Sequence, residues 1–379
     1  MLSKNIDTMG MIFGLAGGLA LFIYGMNLMG EGLQKAAGEK MRRILEVLTK
    51  NSLIAIFVGT LVTSIIQSSS ATTVMVIGFV SAGLMTLPQA IGVIFGANIG
   101  TTVTAQIVAF DIGEYAYPIA AVGFLLMFLS KRRSIKYFGQ VIFSFGVLFI
   151  GLNTMSDAMK PLGQSKVFSN IVLRLGKSPI LGLLVGIVGT GIVQSSSAFI
   201  AVLQNLASTP VDEAGNTLMN LQTALPILFG SNIGTTVTAL LASIGASINA
   251  KRAAVAHTVF NVLGSLIIMF FIPPFAKLIQ LISPAGPGTE IVSRQIANAH
   301  TGFNLINTII WFPLIPVLAK IVRILVPGKE KHVEKGVLYL DKRMLSNPPI
   351  AMNLATKELT RMAVTAQQMM QSAKKSYIL

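Results

Sequence analysis

Cysteine is absent from the 379-residue chain, so disulfides, thiolate metal sites and cysteine nucleophiles are excluded. Histidine occurs three times and acidic residues 14 times, which leaves little for a metal centre or for acid–base catalysis. On these grounds no enzyme, no cofactor and no transition-metal site is expected. Charged residues make up 11% of the chain, against about 25% in soluble domains. With 53% hydrophobic residues and a mean hydropathy of +0.72, a water-soluble globule would have too much apolar surface to hide. The expected class is an all-α polytopic membrane protein.

The charge that is present is mostly of one sign, giving a net +15. Its Lys and Arg residues sit between apolar segments or in the C-terminal tail, as in Lys131-Arg132-Arg133-Ser134-Ile135-Lys136. That placement fits cytoplasmic flanks of membrane spans in contact with anionic lipid, and not a nucleic-acid partner. Thr8–Gly30 is uncharged and long enough to cross a hydrocarbon core of about 30 Å. A cleaved leader is the rival reading. It is disfavoured because Leu21-Phe22-Ile23-Tyr24-Gly25-Met26-Asn27 returns, one residue shorter, as Leu148-Phe149-Ile150-Gly151-Leu152-Asn153. Glu31–Lys50 is amphipathic and reads as a helix along the membrane boundary. Residues 51–110 carry no charge, far more than one span requires. Turning points are expected at Gln67–Ser70, Ser81–Pro88 and Gly96–Gly100. Tyr115–Ser130, Ile135–Thr154 and Ala253–Ile272 read as helices. Pro273–Arg294 reads as a broken region and Ile296–Val326 as the last apolar helix. Asp111, Glu114, Asp157 and Glu290 fall at span edges.

Two strings occur twice in matching order. Gln67-Ser68-Ser69-Ser70 is followed by Gly96-Ala97-Asn98-Ile99-Gly100-Thr101-Thr102, and Gln194-Ser195-Ser196-Ser197 by Gly230-Ser231-Asn232-Ile233-Gly234-Thr235-Thr236. Aligned on the first string, Lys50 meets Lys177, Val58 meets Val185, Gly59 meets Gly186, Thr63 meets Thr190 and Ile65 meets Ile192. The second copy is longer by the polar loop Thr209–Gly215. A shorter echo comes late, as Ala256-His257-Thr258-Val259-Phe260-Asn261 and Ala299-His300-Thr301-Gly302-Phe303-Asn304.

Backbone polar groups cannot stay unpaired in lipid, and non-helical chain at depth is tolerated only inside protein or along a wet cavity. Gln-Ser-Ser-Ser competes with local helix, and the glycines of the second string tolerate unwound backbone. Helices broken midway are therefore expected, with amide N–H groups offered to anions and carbonyls to cations. A single copy would read as helix–helix glue; the duplication favours a site. Spacing of Gly92, Gly96 and Gly100, of Gly182 and Gly186, and of Gly230 and Gly234 indicates close helix packing. No charged residue lies in either pair of strings. An anion alone there would lose its hydration uncompensated, whereas an anion with Na⁺ would not. A neutral solute also suits a neutral site. The serines lack a local His or Lys, which speaks against a nucleophile. His257 and His300 each precede an Asn by one helical turn and read as structural.

The doubled Gln-Ser-Ser-Ser with its following Asn-Ile-Gly-Thr-Thr resembles the type II sodium/phosphate cotransporter family and its bacterial members, over roughly Gly10 to Pro327. The resemblance implies two inverted repeats with re-entrant helical hairpins and broken helices. It implies a multi-pass symporter moving inorganic phosphate with Na⁺ as coupling ion across the cytoplasmic membrane by alternating access. Ser68, Ser69, Ser70, Ser195, Ser196 and Ser197 would contact phosphate. Gln67, Gln194, Thr63, Thr190, Asn98, Asn232, Thr101 and Thr235 would serve Na⁺ or the oxyanion rim. The expected layout is a transport domain at residues 1–327, with repeat 1 at 10–133, repeat 2 at 134–272 and further helices at 273–327, then a cytoplasmic tail at 328–379. In that tail, Tyr339-Leu340-Asp341-Lys342-Arg343-Met344-Leu345 resembles the lead-in to a PhoU-like helical domain. Leu354, Leu359, Met362, Ala363, Ala366, Met369, Met370 and Ala373 form a helical apolar stripe. The sequence stops at Leu379 after about one such helix, so a continuation of the tail or a homodimer contact is expected. The alternatives are another oxyanion (sulfate or a carboxylate) or a membrane phosphate sensor signalling through the tail. One departure from the family pattern stands out: Ala-His-x-x-Phe-Asn occurs in the second half, while Tyr117-Pro118-Ile119-Ala120-Ala121-Val122 occupies the corresponding place in the first, so the halves are expected to differ around the site.

Overall fold

Local signals set the helix ends of this computed structural model, which describes residues 8–37, 51–110, 112–163, 165, 170–172, 174, 178–211, 216–328 and 348–377. Helix α1 spans Thr8–Ala37, beyond the uncharged stretch, and its exposed last turns carry a Lys35–Glu31 pair at 3.1 Å. The remainder of the expected surface helix lies outside the described residues. Asn51 caps α2 (Ser52–Ile66) by accepting from the Ile54 amide at 2.8 Å. Helix α3 (Ser69–Ser81) follows after two residues. Thr86 and Gln89 form a capping box, with Pro88 in the first turn, to open α4 (Leu87–Gly100); α5 is Thr102–Val108. Ala116–Leu129 (α6) and Arg133–Gly163 (α7) flank the Lys/Arg-rich turn. The second copy supplies α8 (Pro179–Val193), α9 (Ser196–Ala207), α10 (Leu221–Gly234) and α11 (Thr236–Ala242). Helices α12 (Ile248–Met269), α13 (Ile272–Ile282), α14 (Gly288–Trp311) and α15 (Ile315–Leu325) follow, and α16 is Pro348–Tyr377. No strand occurs among the described residues, and one isolated bridge joins Pro210 and Thr217.

Five helical stretches among the described residues are long and apolar enough to cross a bilayer: Met9–Ala36, Leu87–Val108, Arg133–Pro161, Leu221–Ala242 and Ile248–Met269. By contrast α2, α3, α8 and α9 have 15, 13, 15 and 12 residues, about 18–22 Å each and too short to span alone. Phe13, Phe57, Phe128, Phe270 and Leu281 are strongly exposed. Such outward apolar faces are a liability in water and a fit to lipid. The chain is an all-α polytopic membrane protein.

Three expectations need correction. The third turning point is not at Gly96–Gly100: α4 continues through those glycines, and the only interruption is Thr101, itself in right-handed helical conformation. The Pro/Gly-rich region is not broken throughout, because Pro273 and Pro274 begin α13, where a missing N–H costs nothing. The last apolar segment is two helices, α14 and α15, meeting at 87°.

The glycines of α4 and α10 serve close packing. A Cβ on Gly96 would collide with the Ile56 carbonyl oxygen of α2, and one on Gly230 with the Leu183 carbonyl oxygen of α8. Backbone thus meets backbone, α4 lying directly on α2 and α10 on α8. At the far end, Arg252 donates from Nε to Val326 O (3.1 Å) and from Nη2 to Gly328 O (2.9 Å), placing a cation where α15 ends.

Residues 1–328 form one compact unit and 329–379 a second. Within the second, Leu359, Met362, Met369 and Met370 of α16 are exposed. The Tyr339–Leu345 segment lies outside the described residues.

Gly96→Ala and Gly230→Ala are expected to cost about 1–3 kcal/mol each through overpacking against backbone. Gly78→Ala, with open space around its Cβ position, is expected to be neutral or better in thermal unfolding of the detergent-solubilised protein.

Candidate solute-binding site

Both Gln-Ser-Ser-Ser strings break a helix in the same way. Gln67 ends α2 with φ 58° and Gln194 ends α8 with φ 56°, the only non-glycine residues at positive φ among the described residues. Each backbone N–H still bonds back, to Thr63 O and Thr190 O respectively, both at 2.7 Å. The next serine is extended and caps the new helix: Ser68 Oγ accepts from the Ala71 amide at 3.1 Å and Ser195 Oγ from the Ala198 amide at 3.2 Å. A left-handed Gln followed by a Ser N-cap therefore turns one apolar run into two short helices, twice.

The two breaks face one cavity of about 220 Å³. Ser68–Ser70 and Ser195–Ser197 line it with Gln67 and Gln194, and Ile23, Met26 and Asn27 of α1 complete the wall. Among the described residues no charged side chain lines it. The N-terminal ends of α3 and α9 both open onto it, and each carries a partial positive charge of about half a unit and first-turn amides without helical partners. One hydroxyl contact joins the halves directly: Thr101 Oγ1 and Ser197 Oγ are 2.8 Å apart.

The remaining residues picked out in the sequence stand behind the cavity. Thr63 Oγ1 donates to Thr72 Oγ1 at 2.9 Å, and Thr190 Oγ1 to Ser231 Oγ at 2.8 Å. Asn98 and Asn232 each return their Nδ2 to the carbonyl one turn earlier, Ile94 O (2.8 Å) and Leu228 O (3.1 Å). Thr235 is buried at the α10–α11 junction, as Thr101 is at α4–α5. Asn98, Asn232, Thr63, Thr190, Thr101 and Thr235 thus do not line the cavity.

The halves are alike in backbone and unlike in one latch. Gln67 is buried; its Oε1 accepts from Thr104 Oγ1 at 2.7 Å, and its Nε2 donates to Ser64 O. The equivalent threonine, Thr238, has a buried Oγ1 with no partner. Gln194 is exposed and makes no side-chain hydrogen bond to a described residue.

Two features escaped the sequence reading. Asn27 lines the cavity, and the internal echo of Leu21–Asn27 at Leu148–Asn153 was its signal. The two Ala-His-x-x-Phe-Asn copies serve one half each. Phe260 of α12 stacks on Phe95 of α4 at 4.3 Å, and Phe303 of α14 packs on Phe229 of α10 at 5.0 Å. Thus α12 brings the element to α4, yet the halves still differ here, because both ring nitrogens of His257 are buried without a hydrogen-bond partner among the described residues. Asn261 and Asn304 donate to the His257 and His300 carbonyls at 3.0 and 2.9 Å, so the local bond uses the His backbone and not its ring. His300 Nε2 reaches Asn232 Oδ1 at 3.3 Å. Glu114 is exposed, and Asp157 pairs with Lys160 at 2.7 Å in solvent. Asp111 and the acidic end of the Thr209–Gly215 loop lie outside the described residues.

A family described as "Na+/Pi-cotransporter" matches twice, at residues 21–157 and 152–283, once for each half. The Bacillus subtilis "Uncharacterized protein YqeW" is 33% identical over 266 residues, covering 70% of this chain and 84% of that protein. The Salmonella typhimurium "Putative inorganic phosphate export protein YjbB" is 26% identical, covering 95% of this chain and 64% of that protein. The rat "Sodium-dependent phosphate transport protein 2A" is 29% identical over 190 residues, 45% of this chain and 29% of that protein. Apart from the Bacillus protein, the chain spans less than two thirds of these relatives. No solved structure matches it. The paired match, one copy on each side of the cavity, makes this chain a member of the Na⁺/Pi-cotransporter family, a family of transporters.

Proposed function

We propose that the chain carries inorganic phosphate across the cell membrane together with Na⁺, by alternating access around the cavity between the two Gln-Ser-Ser-Ser breaks. The observation that carries this reading is the pair of left-handed glutamines. A Gly would adopt that backbone at less cost. Keeping Gln at both places, with its side chain at the cavity wall, argues that the side chains are used.

Charge supports coupling. Two helix N-termini supply about one positive unit together, and hydroxyls and amides supply donors but no net charge. A phosphate bearing two negative charges would remain undercompensated by about one unit away from bulk water. Na⁺ entering with it would make up the difference, with Ser hydroxyls, the Gln and Asn27 amide oxygens and the carbonyl ends of α2 and α8 as its oxygen donors. The relatives' names support phosphate as the solute: sodium-dependent transport in one, phosphate export in another. A symporter runs in whichever direction the summed gradients dictate.

The unequal latches support alternating access. Gln67–Thr104 is closed and Gln194–Thr238 is open on a duplicated backbone. Exchanging that inequality between halves would convert one access state to the other. The inverted orientation of the repeats, the boundary near residue 327 and a PhoU-like tail belong to the same proposal.

Gln194→Gly and Gln67→Gly keep the left-handed backbone and remove the side chain. Both are expected to lose Na⁺-driven uptake of radiolabelled phosphate into proteoliposomes by at least tenfold; normal uptake in both variants would overturn the site. Gln67→Ala is expected to lower thermal stability by about 1–2 kcal/mol, through its two lost bonds, and Gln194→Ala to leave it unchanged. Thr238→Val is expected to leave stability unchanged and slow transport several-fold. A Thr238→Val protein with wild-type rate would contradict the exchange of latches.

A further inference from the structure

A second polar cavity, of about 500 Å³, lies at the other end of α9. Its wall includes Gln204, Asn205 and Ser208, together with Asn153 and Ser156 of α7, Ser293 of α14, and the last residues of α5. Among the described residues no charged side chain lines it; Asp111, next to Phe110 in the chain, lies outside them. Asn153 is the internal echo of Asn27, so the repeated Leu-Phe-Ile element sends an asparagine to each cavity.

Three oxygens at this wall are buried without a partner: Gln204 Oε1, Asn205 Oδ1 and Ser208 Oγ. The two amides cannot be turned over to satisfy themselves. Gln204 Nε2 donates to Ala105 O (3.1 Å), Ser293 O (3.1 Å) and Ser293 Oγ (3.2 Å), and Asn205 Nδ2 donates to Leu152 O (3.2 Å). A flip would set oxygen against carbonyl oxygen. Positions 204, 205 and 208 share one side of α9, so the helix presents a patch of acceptors with its donors already committed. Gln204 is 1% exposed. Buried acceptors left in this state call for a donor or a cation.

Helix polarity selects the cation. Ser208 is the C-cap of α9 and Ala109 the C-cap of α5, so two carbonyl ends meet at this cavity, where the dipole favours positive charge. A guanidinium already sits nearby: Arg294 lies over the Phe110 ring at 4.2 Å and donates to Gln106 Oε1 at 3.0 Å. The arrangement is the reverse of the first cavity, where the N-terminus of the same helix opens.

We propose that Gln204, Asn205 and Ser208 form a second site, for Na⁺, about 12 Å along α9 from the Gln-Ser-Ser-Ser cavity. It rests on the reading of the chain as Na⁺-coupled. Na⁺ held there by neutral oxygens sits at the negative end of the helix whose positive end faces the phosphate. Occupancy of both ends then stabilises one orientation of α9.

The test is a NaCl titration of the purified full chain in detergent, against choline chloride and without phosphate, read as the rise in unfolding temperature. Ser208→Ala and Asn205→Ala are expected to raise the half-saturating Na⁺ concentration at least fivefold. Asn205→Asp, which adds negative charge at the same place, is expected to lower it. A purely structural role would not produce that opposite shift. Half-saturation within twofold of wild type in both alanine variants would overturn the site and leave a cavity holding only water. Phosphate uptake by the wild-type protein is measured in parallel, with Na⁺ or choline outside. If uptake proves independent of Na⁺, the coupled reading falls, and the phosphate-free titration still decides whether this site exists.

Discussion

Everything in this molecule depends on the cost of leaving a peptide group unpaired away from water. In an apolar surround that cost is several kcal/mol per group, so a helix can be interrupted only where something takes over the freed N–H and C=O groups. At Gln67 and Gln194 the left-handed backbone keeps the N–H bonded to the carbonyl four residues back, and the following Ser caps the next helix. What remains unpaired is the set of first-turn amides of α3 and α9, and these open onto the same cavity. The break that satisfies the backbone also creates the surface we propose for the solute.

Duplication gives this arrangement a second use. The two halves share φ values, capping bonds and the Asn return bonds to Ile94 and Leu228, so neither half is strained into its shape by the other. They differ in the latch from Gln to Thr. A duplicated backbone with unlike side-chain bonds in its two halves has two low-energy choices related by exchanging those bonds, which suits the alternating access we propose. The Thr101–Ser197 hydroxyl pair and the stacking of Phe95 on Phe260 tie the halves together without charge, so sliding one against the other breaks no ion pair.

Much of this was legible in the sequence, for identifiable reasons. The doubled strings gave the breaks at Gln67 and Gln194, because consecutive hydroxyls compete with helix wherever they occur. Small-xxx-small spacing gave the close approach of α4 to α2. The Asn-Ile-Gly break was misread, because glycine permits unwinding and equally permits contact, and only the neighbouring backbone of α2 decides between them. Asn27 is hard to read from sequence because one polar residue in a span carries no periodic signal; only its recurrence at Asn153 marks it. The pairing of α12 with α4 is invisible locally, since it joins residues 165 apart in the chain. The bend between α14 and α15 falls at Phe312-Pro313-Leu314, where hydropathy is uniform and Pro313 is the signal that the apolar run conceals.

The central claim is that phosphate and Na⁺ occupy the site as compensating charges, and binding linkage tests it most directly. Isothermal titration of phosphate into the detergent-purified chain at two Na⁺ concentrations, with choline keeping ionic strength constant, measures the coupling free energy. The expected result is at least a tenfold tightening of phosphate at the higher Na⁺ concentration, with an equal tightening of Na⁺ by phosphate in the reverse titration. Phosphate affinity that is the same in Na⁺ and in choline would contradict the account.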